Sequence, residues 1–354
     1  MNKTPNPSGD GKDPAGSQQA PSENPSHHDR GVPPLDPPEL ASSLAPSPES
    51  ATAQSGNHSM RAAPLHLQAK VALAAERDAE ASRAVLDLAN SLEASTGYPI
   101  QIVFEDLPPE AAAYVEVAPL AQRDCHVVHC TPFLPRPIYL HVLTHEFTHI
   151  HLDHQALVAG TAREFLPSAR TRRYISKLYS APARRLRRQG WSHAQIEEAV
   201  QADAGAILML LYNCPVDLVV EQWISRNYPC LSAAQFLALD RLHQHDVRPG
   251  DDLGRNSLRP RSLNVGSQAL DCVRALLHDE ICAPATDFAA PYRDTEVFPI
   301  ALRLWQHWNA VSRSLGPGDE FQLVDAFADI LGLRKAYESR TQAISTLRPI
   351  PKPC

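Results

Sequence analysis

Two histidines and a glutamate in the run His145-Glu146-Phe147-Thr148-His149 are the residues of this chain best suited to chemistry. Residues four apart share one face of a helix, so both imidazoles can reach a single tetrahedral ion. Glu146, one step round, then lies beside a metal-bound water and can take its proton, which is the arrangement of metal-assisted hydrolysis. The flanking sequence predicts the helix this needs, over about 138–154. Pro137 suits its first turn, and Ile138, Val142, Leu143, Phe147 and Ile150 form an apolar stripe.

Two histidines leave a zinc ion short of a ligand, because catalytic sites use three protein ligands plus water. The metzincin continuation is excluded: the places three and six residues after His149 hold Leu152 and Gln155. His151 and His154 leave the face of the histidine pair, and three consecutive-turn ligands from one helix would strain a tetrahedron if His141 joined. A carboxylate from a later helix remains, with three candidates. Asp203 falls on an apolar helix face with Ile196, Val200, Ile207 and Leu210, so it needs a partner such as a ligand histidine or the metal. Glu198 lies earlier on that helix, toward its polar side. Glu221 interrupts the apolar run Leu218-Val219-Val220-Glu221-Gln222-Trp223-Ile224, one turn after Asp217.

His145-Glu-Phe-Thr-His149-Ile-His-Leu152-Asp-His154 resembles the HExxHxxLxH form of ImmA/IrrE-type metallopeptidases, and Gln201-Ala202-Asp203-Ala204-Gly205-Ala206 resembles the glutamate helix of gluzincins. The resemblance covers about residues 65–225. It implies a Zn²⁺-dependent peptidase of gluzincin type with Glu146 as general base. It also implies a metal-binding glutamate four residues before Asp203, where this chain has Ala199. That departure leaves Glu198, one residue out of register, or Glu221 from the next helix. We take Glu221 as the third ligand, with Asp203 and Glu198 as alternatives.

The supporting elements predict a mostly helical α+β fold. Residues 1–62 are rich in Pro, Ser, Gly and Asn and lack Phe, Tyr, Trp, Ile and Cys, which predicts a disordered tail. A helix is expected from Leu65 to about Ala94. Three short strands follow, at Ile100–Phe104, Ala113–Val117 and Cys125–Thr131. They form a small sheet before the active-site helix, with an edge strand able to hold an extended peptide. The peptidase-like domain spans 63–230, with an Arg-rich insertion at 160–190. Nine basic residues stand between Arg163 and Arg188 against Glu164 alone. Ser192 and Gln195 form a capping box opening a helix to about Tyr212, and Asn213 is placed to cap a second helix. Helices at 232–245, 266–280, 297–314 and 319–337 make a C-terminal region (231–347), and 348–354 form a short tail.

A net charge of −7 gives no general reason to expect nucleic acid or an anionic membrane as partner. No stretch reads as apolar enough for a membrane span, and the N-terminus lacks the apolar core of a signal peptide. Seven scattered cysteines predict reduced thiols and a cytoplasmic setting. Cys125-His126-Val127-Val128-His129-Cys130 invites a second metal, but strand alternation splits the set between two faces. The expected function is therefore cleavage of protein or peptide substrates. The alternative is a regulatory metal-binding protein that engages nucleic acid through the Arg-rich segment.

Overall fold

The computed structural model describes residues 79–108, 111–245 and 259–342. The expected tail at 1–62, the start of the helix expected from Leu65, and the C-terminal tail lie outside the described residues. Helix α1 (Ala79–Thr96) turns Val85, Leu88 and Leu92 inward. It leads into a three-stranded mixed sheet of order β1-β3-β2. In it β1 (Ile100–Phe104) runs parallel to β3 (His126–Cys130) with Ile100 opposite His126. Strand β2 (Ala113–Glu116) runs antiparallel to β3 with Ala113 opposite Cys130. A short helix α2 (Ala118–Ala121) joins the last two strands.

Helix α3 (Arg136–Ala159) carries the histidine motif. Pro137 sits in its first turn, and Gly160, at φ +70°, ends it in the left-handed conformation glycine adopts without penalty. Leu140, Leu143, Phe147 and Ile150 of α3 pack with Val85, Leu88 and Leu92 of α1 and with Ile100, Ile102, Val128 and Cys130 of the sheet. This apolar cluster anchors the motif from behind.

The Arg-rich segment opens with a strand, β4 (Arg163–Leu166), where a helical insertion was expected. Helices α4 (Ala169–Leu178) and α5 (Ser180–Arg188) follow. The next helix, α6 (His193–Asn227), begins at the capping box of Ser192 and Gln195 and continues through Pro215. Two helices meeting near Asn213 were expected, so this is a correction. An internal proline costs about 3 kcal/mol. Leu211, Cys214, Val216, Leu218 and Val220, all buried around it, offset this at about 1.5–3 kcal/mol for each large side chain.

By length and composition α6 is apolar enough to cross a membrane, contrary to the reading from sequence. Part of its apolar surface is used in the core, while Met209 stays 58 % exposed. Ile207, Leu211, Leu218, Val220 and Ile224 join one cluster with residues of the C-terminal helices α8 (Arg261–Cys282), α9 (Phe298–Val311) and α10 (Glu320–Ile330). The described residues fall within one compact unit. Helix α7 (Ser232–His245) packs on α3. After α10, Gly332 at φ +68° stops the helix expected to reach 337. The chain then forms β5 (Glu338–Thr341), which pairs antiparallel with β4. No local pattern announces this strand, because its partner lies far away in sequence.

Candidate metal centre

The metal-ligand candidates come from α3 and α6, which run antiparallel past each other: His141 and His145 meet Glu221, whereas His145 and His149 meet Asp217. His145 Nε2 and His149 Nε2 lie 3.1 Å apart. Asp217 Oδ1 stands 3.5 Å from the first and 3.4 Å from the second. Ligands at 2.0–2.1 Å from a tetrahedral zinc are separated by about 3.3–3.4 Å. The triangle thus matches three corners of such a site and leaves the fourth for water or substrate.

Glu221 occupies a different place from the one expected. Its Oε1 lies 2.8 Å from Nδ1 of His145, on the far side of the ring, and 3.2 Å from Nε2 of His141. Its Oε2 accepts a hydrogen bond from Gln235 Nε2 at 2.7 Å. A carboxylate in this position fixes the tautomer and direction of His145, leaving Nε2 free for a metal. His141, His145 and Glu221 do form a second group able to hold an ion, but it omits His149. Burial opposes the charge of Glu221; the facing His141 and His145 overcome it and hold the carboxyl well below its usual range. His145 is pushed down by burial and raised more strongly by hydrogen bonds to Asp217 and Glu221, ending well above its ordinary value.

Glu146 is buried, with 7 % of its surface exposed. Burial raises its pKa, against the opposing pull of His145 and His149. Such a shift favours a carboxylate that must both accept and return a proton.

The other candidates lie elsewhere. Asp203 is 14 positions before Asp217 on α6, or about 21 Å along the axis. Its partner is Arg259, whose Nε donates at 3.0 Å, together with the hydroxyl of Tyr179, and not a ligand histidine. Glu198 is exposed, a further turn and more away. His151 packs against Trp223, with ring centroids 5.2 Å apart. In β3, His126 is buried between the amide of Ala118 and the hydroxyl of Thr96, and His129 faces Glu105 and Glu116. Among the described residues, neither group able to hold a metal includes Cys125, His126, His129 or Cys130.

Sequence reasoning missed Asp217 as a ligand candidate, although its spacing to Glu221 repeats the i, i+4 spacing of the histidines. It also missed a second row of acids. Asp153, one turn beyond His149, is raised to about 6 by burial. Glu320, at the start of α10, is raised to about 7, also mainly by burial, with Asp153 adding to it. Gly318 brings this end of α10 against α3: a Cβ there would lie 2.2 Å from Thr161 Oγ1. No family model, no curated protein and no solved structure matches this chain, so the assignment of its chemistry rests on the geometry of these residues.

Proposed function

We propose that the protein is a zinc-dependent metallopeptidase on the gluzincin plan, with the third ligand, a carboxylate, supplied by Asp217 of α6. The observation that carries the reading is the convergence of His145 Nε2, His149 Nε2 and Asp217 Oδ1 to within 3.1–3.5 Å, with Glu146 beside them. Those three atoms would hold Zn²⁺, and Glu221 would orient His145. When bound, the ion supplies Lewis acidity, polarising a carbonyl and lowering the pKa of water. Glu146 takes the proton of the attacking water and delivers it to the leaving amine. The substrate is an extended peptide. Strand β2, which packs on α3 and pairs with β3 along one side, supplies an edge for it.

The test is cleavage of a peptide pool by the purified protein, read by mass spectrometry. Cleavage should stop with a chelator and return with zinc. Glu146→Gln should keep zinc and lose about two to four orders of magnitude in turnover. Chelator-insensitive cleavage, or full turnover in Glu146→Gln, refutes the proposal. Stoichiometric zinc with no cleavage would instead favour the regulatory metal-binding reading.

A further inference from the structure

The Arg-rich segment is not used by the metal centre, yet the fold gathers its charge. Helix α4 buries Thr171 and Ile175 and turns Arg170, Arg172, Arg173 and Lys177 to solvent. Helix α5 buries Ala183 and Leu186 and exposes Arg184, Arg185, Arg187 and Arg188. Arg170, Arg173 and Lys177 follow one another at three- and four-residue spacing, a row of cations about 5 Å apart along the axis. At the head of this row the surface is concave. Arg170, Arg334, Lys335, Tyr337, Glu338, Ser339 and Arg340 line a hollow of about 670 Å³, in which Glu338 is the sole carboxylate among the described residues. The hollow is held in shape from beneath: Asp325 pairs with Arg334 at 3.2 Å and Arg163 at 2.9 Å, and accepts from the Tyr337 hydroxyl at 2.6 Å.

We propose that this surface binds single-stranded nucleic acid, its phosphates following the row from the hollow along α4. The chemistry favours phosphate. All but one of the nine cations between Arg163 and Arg188 are arginine, whose planar fork matches a phosphate's oxygens in pairs. A membrane fits poorly, because none of the large exposed apolar side chains lies on α4 or α5. The exposed Trp191, three residues after Arg188, adds a ring on which a base can stack. The chain's net charge is negative, so attraction depends on this local patch and must weaken steeply with salt. This site is separate from the metal centre and does not depend on the peptidase reading.

Fluorescence anisotropy with a labelled single strand of mixed sequence tests it on the full chain. Binding should fall with salt at a logarithmic slope of about −0.7 per phosphate contacted. The triple charge reversal Arg170→Glu, Arg173→Glu, Lys177→Glu should weaken binding by at least about 100-fold near 0.1 M salt, the loss of three contacts alone, before the added repulsion. All three residues are exposed, so an unchanged unfolding transition should certify the fold. Glu146→Gln should bind the strand as the parent does. The proposal is overturned by no binding at low salt, by an unaffected triple variant, or by equal binding of polyglutamate or of anionic vesicles.

Discussion

Exchanging the roles of Asp217 and Glu221 is the sharpest way to test the metal centre. Asp217 Oδ1 faces both Nε2 atoms, whereas Glu221 Oε1 faces Nδ1 of His145. On the proposed assignment, Asp217→Ala removes a ligand. Zinc held by four protein ligands is worth about 10–16 kcal/mol, or about 2.5–4 kcal/mol per ligand. Losing one therefore costs about 10²–10³ in affinity. Glu221→Gln keeps an acceptor for His145 but sets its amide against Gln235, which already donates to Glu221 Oε2 and to its backbone carbonyl. The affected group orients a ligand without being one, so the loss should be about 10- to 100-fold. Competition for zinc against a series of buffered chelators measures both constants. The order of the two effects is decisive. If Glu221→Gln loses as much affinity as Asp217→Ala, or more, then Glu221 is the ligand and the assignment from geometry is wrong.

Two further outcomes probe the scaffold. Phe147→Ala should cost about 3–5 kcal/mol in denaturant unfolding, since Phe147 is buried behind the motif, while Phe133→Ala, at an 87 % exposed position, should change stability by less than about 0.5 kcal/mol; similar losses would deny that cluster its anchoring role. Glu320→Gln should flatten the pH dependence of stability. A carboxyl raised to about 7 in the folded state stays protonated there while the unfolded chain ionises near 4.3. Stability therefore falls as pH rises from about 4.3 to about 7, and the neutral variant should recover about 1–3 kcal/mol of that loss at pH 8 relative to pH 4. An identical pH profile for parent and variant would show that Glu320 is not buried as a charge at high pH.

Much of this molecule is written in local pattern. The i, i+4 histidines, the apolar stripe from Ile138 to Ile150 and Pro137 predict α3, and α3 follows. The three strands fall where short β-rich runs between turn residues place them, and Ser192 with Gln195 marks the start of α6. These features depend on contacts within a few residues, so the sequence alone determines them. The third ligand candidate is different. It depends on how α3 and α6 pass each other, 76 positions apart along the chain at the His145–Glu221 contact, and on α6 continuing through Pro215. A helix broken at Asn213 would free Asp217 and Glu221 from the register of Asp203 and give no reason to prefer one carboxylate. Burial energy around Pro215 exceeds the local penalty of proline, and only the tertiary structure reveals that balance. The pairing of β4 with β5 and the hollow that joins Arg170 to Arg340 depend on the same kind of distant contact.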